Sequence, residues 1–544
     1  MASNTSVSNY LVAPGTNRGK HPATMGTSWT CNMYREINQD IQYLESVPGL
    51  KFYNEIAPGA KCRGSYVSSI GLGTDNQQEN MFVVFGSHLY RIDWRYNVAD
   101  LGQVASGSNR VSFAETGGIN PYLLVADGSN LWAYSLIEGG ELKRITLPER
   151  VNGDGGQISP THVAVVAGSV VITDRTSGFV YYSIPYPLNS EEREVFQMQL
   201  VDGKMEPVYD PNNPYKVLTQ MVDAFDWMFY DNYGVQQYFN AESSSDNVRA
   251  IAAIGANLYL FGYKTVEIWQ RGSGEYETWV RQSYTTNASN GLQAPYSIAT
   301  CGSNLYYLGS GESFAKGIMM VSGQNYKKIS ETWLDEKLLG ETGDSAFGFS
   351  YAEGNHNFYI VQLQNLQETW VYDTETNEWA QRTSRVYETG EETRWRVSDL
   401  SWFKGAFWAF CDDGCMYSFG DYYWEDYGST GHRLPMIRHR QGAVLVNDER
   451  PFIFNELSIE CNVGTWGDYA LEPDLLLEVS KDGGMTFGNT RSCKMGRVGQ
   501  YSHRVRFHNL GYNRLAVLRV TYSHPTSLEL TACSQRISPT TTVI

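Results

Sequence analysis

The chain has 544 residues, 42% of them apolar and 19% charged. That is enough apolar material for a core, it excludes a disordered chain, and the length suits several domains or one large repeat domain with smaller ones. A net charge of −17 argues against binding nucleic acid by broad phosphate neutralisation. Gly (52), Tyr (37) and Trp (14) are plentiful against few charges, a composition of many short strands joined by tight turns. No apolar run approaches about 18 residues, so no membrane span is expected. The longest, Val163 to Ile172, is broken by Gly168 and Ser169. The opening MASNTSVSNYLVAPG has neither the basic nor the apolar region of a secretory signal. Eight scattered cysteines (31, 62, 301, 411, 415, 461, 493 and 533) form no disulfide framework. They read as mostly free thiols of a protein made in a reducing cytoplasm.

Residues 1–60 read as an N-terminal arm that packs on another domain, notably the C-terminal one, or on a subunit. SWTCNMYREINQDIQYLESVPGL predicts a short helix near Tyr34 to Leu44, then a Pro-Gly turn. A poorly ordered tail over the first ~20 residues is the alternative.

From 61 to 430 a degenerate repeat dominates. Its copies are MFVVFGSHLYRIDW (81–94), PYLLVADGSNLWAYS (121–135), THVAVVAGSVVITD (161–174), AIAAIGANLYLFG (250–262), SIATCGSNLYYLG (297–309), FSYAEGNHNFYIV (349–361) and LSWFKGAFWAF (400–410). Each is two β-rich runs around a short polar turn, a hairpin signal. The marker glycines 86, 128, 168, 255, 302, 354 and 405 are spaced by 42, 40, 87, 47, 52 and 51 residues. Four-stranded propeller blades recur at about 40–50 residues, so a β-propeller of six or seven blades is predicted. The gap of 87 is one blade plus an insertion, or two blades. The Pro-, acid- and aromatic-rich stretch at about 185–246 interrupts the pattern. It reads as a projecting insertion or as a blade with illegible strands.

Residues 431–544 differ. IFNELSIECNV (453–463), DLLLEVS (474–480), SHRVRFHNL (502–510) and RLAVLRVTYS (514–523) alternate with period two, as in a β-sandwich-like domain. The whole chain is therefore predicted to be all-β. Charge divides as well: residues 1–429 carry −20 and residues 430–544 carry +3.

Catalytic signatures are missing. There is no HExxH, GxSxG, Walker loop or Rossmann fingerprint, and no enzyme, catalytic residue, metal or cofactor is expected. Cys411 and Cys415 flank Asp412-Asp413-Gly414. Two thiols on a hairpin is the plain reading, and a disulfide or half a zinc site is the sharper one. NGDGG (152–156) faintly resembles a calcium loop without its full ligand series and reads as a polar turn. The sharpest motif is Ser480-Lys481-Asp482-Gly483-Gly484-Met485-Thr486-Phe487, similar to the sialidase Asp-box. Ser480, Asp482, Gly484, Thr486 and Phe487 then make a structural turn: the carboxylate and hydroxyls bond turn backbone, Gly permits positive φ, and the aromatic anchors the strand. Arg497, Arg504, Arg506, Arg514 and Arg519 alternate within strands, on a solvated face or facing an acidic partner or phosphates. The carboxylates Glu191, Glu192, Glu194, Glu388, Glu391, Glu392, Asp223, Asp226 and Asp231 read as solvated loops.

Four stretches in order carry a family resemblance: TCNMYRE with ESVPGL and KCRGSYV; YFNAESSSDNVRAIAAIGANLYLFGYKTVEIWQRGSG (238–274); GNHNFYIVQLQNLQETWVYDTETNEWAQRTS (354–384); and LLEVSKDGGMTFGNTRSCKMGRVGQYSHRVRFHNLGYNRLAVLRVTYSHP (476–525). Together they resemble the packaged-DNA stabilisation proteins of short-tailed bacteriophages, also called tail hub or nozzle proteins. The resemblance implies a structural protein of the virion tail, synthesised in the host bacterial cytoplasm. It implies a homohexameric ring below the portal and head-to-tail adaptor, contacting the tail needle, spikes or fibres. That ring would continue the DNA channel, retain packaged double-stranded DNA without reading its sequence and allow its ejection. An acidic lumen would repel phosphate and let DNA slide. The competing reading is a glycan-binding or glycan-cleaving propeller on the tail, either sialidase-like or a depolymerase.

Overall fold

Apolar strands of four to nine residues separated by two-residue turns have one economical solution, the antiparallel meander. In the computed structural model all seven expected hairpins form. The structure describes residues 4–8, 11–12, 28–38, 41–68, 70, 79–107, 109–137, 139–151, 153–202, 204–241, 247–272, 279–282, 290–311, 314–420, 423–428, 430–447, 450–466 and 471–539. Two compact units are present: 1–54 with 330–396 and 416–544, and 55–329 with 397–415.

The second unit holds five successive antiparallel sheets, the blades of a β-propeller. Their strands span residues 62–103, 112–144, 160–239, 248–281 and 290–328. Tight turns set the register. Between Pro160–Val166 and Ser169–Asp174 the chain reverses through Ala167 and Gly168, at φ 50° and 78°. Two consecutive positive φ values match the right-handed twist of the paired strands.

The middle blades are apolar on both faces because each is covered on both. In Tyr122–Ala126, Leu123 and Val125 pack with Phe82, Val84 and Leu89 of the preceding blade. Leu124 and Ala126 pack instead with Val163, Val170 and Ile172 of the following one. Leu258 and Leu260 likewise face one way, Tyr259 and Phe261 the other. The period-2 alternation of a strand thus divides its side chains between two inter-blade cores. Burying each large apolar side chain contributes roughly 1.5–3 kcal/mol.

The gap of 87 residues between Gly168 and Gly255 has one source. Strand Val180–Pro185 pairs with Tyr238–Phe239 across an insertion of three two-stranded ribbons. Glu192–Phe196 pairs with Thr219–Asp223 at its base. Beyond the base lie the hairpins Met198–Val201/Lys204–Pro207 and Tyr209–Asp210/Asn213–Val217. Residues 203 and 242–246 of the expected insertion lie outside the described residues.

The first unit contains a sixth meander of four strands, Phe347–Glu353, His356–Leu363, Glu368–Asp373 and Glu378–Arg385, within a larger sheet. Its outer strand does not end the sheet. Trp29–Cys31 adds in parallel to it through Cys31 and Gln381, and pairs antiparallel with Arg438–Gln441. The sheet runs on through Leu515–Tyr522, Asp474–Ser480 and Arg491–Lys494. Opposite it, Phe452–Cys461 pairs with Val505–Asn513 and Glu529–Pro539. The core of this β-sandwich includes Phe454, Leu457, Phe507, Leu518 and, from the N-terminal segment, Leu11, Val12, Met33 and Leu44.

The helix expected near Tyr34 to Leu44 does not form. Met33–Asn38 and Ile41–Ser46 are paired strands, with Leu44 opposite Leu530. Met33 and Leu44 are buried in the sandwich core, which an alternating face supplies and the local helical propensity does not. Strand Glu529–Pro539, which pairs with Asn4–Ser8, is also absent from the expected runs. After the sixth sheet, Val397–Phe403, Ala406–Cys411 and Cys415–Phe419 follow as a seventh repeat.

Candidate functional site

Cys411 and Cys415 are buried on either side of their turn and are not joined in a disulfide. Among the described residues no group of three or more His, Cys, Asp or Glu side chains is placed to hold a metal ion. In the NGDGG segment Asn152 lies outside the described residues. Asp154 accepts from Gly156 N–H at 2.8 Å and from Arg150 at 3.2 Å, a self-contained turn.

Most of the expected carboxylates serve local structure. Glu191 bonds Lys143, Glu194 accepts from Thr219 Oγ1, and Asp226 accepts from Thr146 Oγ1, each at 2.5 Å. Asp223 accepts from Phe225 N–H at 2.7 Å. Asp231 accepts from the amides of Tyr233 and Val235 at 2.8 and 2.9 Å. Glu392 lies 3.0 Å from both Thr383 Oγ1 and His439 Nε2; these bonds hold its carboxyl below the usual range despite desolvation, the largest single effect. Glu192, Glu388 and Glu391 face solvent.

The segment 480–487 is closed on itself. Asp482 accepts from Ser480 Oγ at 2.6 Å, Met485 N–H at 3.0 Å, and Thr486 N–H and Oγ1 at 2.9 and 2.5 Å. The hydrogen bonds from Ser480 and Thr486 push its carboxyl well below the carboxylate range. Ser480 Oγ accepts from Gly484 N–H at 2.8 Å. Phe487 lies 3.7 Å beneath the Arg519 guanidinium, which pairs with Glu478 at 2.7 Å. Of the other C-terminal arginines, Arg504 and Arg514 are exposed, Arg497 lies 3.6 Å from Glu472, and Arg506 lies 4.0 Å from Glu456.

The polar chemistry that recurs was not singled out from the sequence. Register shifts mark the start of the first strand in several repeats, between Cys62/Gly64, Pro160/His162, Val248/Ala250 and Val397/Asp399. A β-bulge re-aims the extra residue, and in two blades that residue is arginine. Arg63, 1% exposed, donates to the carbonyls of Asn109, Ala105, Gly86 and Asp127 at 2.6, 2.6, 3.0 and 3.1 Å. Arg249 donates to Leu292 and Gln293 O, each at 2.9 Å. Arg110, just before its strand, donates to Ser398 O at 2.7 Å and pairs with Asp399 at 2.9 Å. Arg63 and Arg249 thus tie one blade to the next, and Arg110 ties the segment before the second blade to the seventh repeat. An arginine opening CRGS, NRVS and VRAI was the available signal.

Such a scaffold of bulge-pinned blades joined to a sandwich matches known family models over almost its whole length. Residues 27–418 match the family described as Bacteriophage P22 Gp10, beta-propeller. Residues 437–538 match Bacteriophage P22 Gp10, beta-sandwich. The chain belongs to the bacteriophage P22 Gp10 family. It is a structural protein of the phage tail that stabilises packaged DNA. No curated protein matches the chain.

Solved structures similar to this Gp10-family chain include a streptogramin B lyase, at 10% identity over 68% of this chain and 98% of that one, TM-score 0.37. A virginiamycin B lyase from Staphylococcus aureus has 9% identity over 66% and 100%, TM-score 0.35. An exo-beta-1,3-galactanase from Phanerochaete chrysosporium has 10% identity over 78% and 96%, TM-score 0.24. No described helix is long and apolar enough to cross a membrane.

The Gp10-family chain also carries an exposed fork in its insertion. At the base, Gln197 N–H donates to Leu218 O, Leu218 N–H to Val208 O, and Val208 N–H to Gln197 O, at 2.8, 2.7 and 2.9 Å. This closed backbone triangle splits the ribbon into its two hairpins. Leu200, Met205 and Tyr215 on those hairpins are 70%, 60% and 93% exposed.

Proposed function

We propose that six copies of this chain form a ring below the portal and adaptor, which continues the DNA channel, retains packaged DNA and lets it pass on ejection. Within each copy, 61–430 acts as the propeller, with the insertion at about 185–246 projecting from it. Residues 431–544 act as the C-terminal β domain, to which the arm 1–60 contributes strands. Partners are the adaptor and portal complex, the needle, spikes or fibres, and double-stranded DNA read without sequence preference. The protein works without catalysis, metal or cofactor. Its turn at Ser480–Phe487 is a hairpin lock.

The observation that carries this reading is the family match over 27–418 and 437–538. Charge supports it: −20 in residues 1–429, multiplied in a ring, suits a channel past which phosphates slide. Quantitative mass spectrometry of purified particles tests it. About six copies per particle is expected from rotational symmetry of the tail. About eighteen copies would point to trimeric spikes instead, and absence from particles would refute the proposal.

A further inference from the structure

His356 sits on the strand His356–Leu363, 2% exposed at its side chain. Both ring nitrogens meet carboxylates: Nδ1 lies 2.8 Å from Asp373 Oδ2, and Nε2 lies 2.9 Å from Glu36 Oε2. Asp373 belongs to the same sheet, whereas Glu36 belongs to the N-terminal hairpin Met33–Asn38/Ile41–Ser46. The ring stacks on Phe358 at 5.6 Å and meets Tyr34 edge-on at 5.2 Å. A neutral imidazole donates one hydrogen bond and an imidazolium donates two. Only the charged form therefore satisfies both carboxylates.

We propose that His356 is a proton-operated latch that fastens the N-terminal hairpin 33–46 to the sheet 347–385. The two carboxylates are held unequally, which sets what deprotonation breaks. Asp373 also accepts from Glu375 N–H at 3.0 Å and Thr376 Oγ1 at 2.8 Å. Glu36 is 19% exposed at its side chain and has a path to water. Loss of the proton leaves the bond to Asp373 in place and frees Glu36, so the hairpin is the part that loosens.

The surrounding groups favour the charged ring. Desolvation is the largest single effect and opposes the charge, but Asp373 and Glu36 together outweigh it and raise the His356 pKa above its ordinary value. Within the sheet, Glu353 pairs with His356 across the hairpin turn and Tyr351 pairs with Phe358. Arg382, on the strand Glu378–Arg385, lies over Phe358 at 5.6 Å and donates to Tyr351 Oη. From the N-terminal hairpin come Tyr34 and Glu45, paired across it. The Tyr34 hydroxyl is pushed far up by burial and the nearby carboxylates, and stays neutral. Arg35 pairs with Glu378 at 2.9 Å and gives the hairpin a second tie. A histidine whose folded pKa is raised adds stability that is complete below its unfolded value and is lost as pH rises through the folded one. The latch is therefore closed in mild acid and opens on the alkaline side.

Amide hydrogen exchange of peptides covering 33–46, measured on the full chain between about pH 6 and about pH 9 and corrected for base-catalysed intrinsic exchange, tests this. In the unmodified chain, protection should fall stepwise across that range, by up to about tenfold per unit of pKa elevation. His356→Gln should show low protection at both ends and no step. Glu36→Gln removes one of the two charges, so its step should move to lower pH. A flat profile in the unmodified chain, or an equal step in His356→Gln, would overturn the latch. If His356→Gln does not fold, an unmoved midpoint in Glu36→Gln overturns it alone.

Discussion

Asn32→Ala should lower the melting temperature of the first unit by about 8 °C or more. Asn32 is 1% exposed and sits at φ 54°. Its side-chain amide donates to Thr383 Oγ1 at 2.9 Å and to Ile437 O at 2.8 Å, and its carbonyl accepts from Thr383 N–H at 2.9 Å. One side chain thus joins the N-terminal segment to the outer strand of the sixth sheet and to the approach of the sandwich strand Arg438–Gln441. Alanine leaves buried groups unpaired, at about 1–3 kcal/mol each, and adds about 1–2 kcal/mol for a left-handed residue with a Cβ and no compensating bond. A total on the order of 4 kcal/mol follows. Asn32→Gly removes the backbone strain but not the lost bonds, so it should fall between Asn32→Ala and the unmodified protein. Calorimetry with a shift under about 2 °C for Asn32→Ala would show that strand 29–31 does not hold the joint sheet together.

Arg63→Ala is the second large effect, roughly 3–5 kcal/mol in the second unit. The guanidinium is desolvated, which lowers its pKa, while the Asp127 charge opposes that shift. Its four carbonyl partners lie on the turn at Gly86, the linker at Ala105 and Asn109, and the next blade at Asp127. Truncation abandons all four and opens a void between two blades. Arg63→Lys restores a charge but not the planar fork, so it should recover less than half of the loss. The observable is limited proteolysis in the 104–111 linker, which should quicken in Arg63→Ala well before the rest of the chain is cut. Cleavage at the unmodified rate would mean that the inter-blade apolar cores alone set blade cohesion.

These two residues also show where sequence reasoning stops. The hairpins were legible because a propeller blade repeats a local signal: apolar run, Gly turn, apolar run. Leu123 and Leu124 read as strand without knowledge of what covers them. The helix expected at Tyr34 to Leu44 failed because its real partner, Leu530, lies far along the chain. Asn32 and Arg440 carry no signal in the sequence for the same reason. Arg440 is buried and donates to Leu11 O and Thr30 Oγ1, each at 2.7 Å, and no local pattern announces such a partner. The hydrogen bonds of the Asp482 turn differ in that each spans four residues or fewer, a range that a local motif can encode. The bulge arginines lay between these cases, visible only when the repeats are aligned on their first strands and not on their glycines.

Retention of DNA in particles assembled without this chain tests the tail assignment most directly. Heads filled in its absence should package DNA and then release it, measured as DNA becoming open to nuclease, and adding the purified protein should stop the loss. Heads that stay filled and nuclease-resistant without it would contradict a role in stabilising packaged DNA.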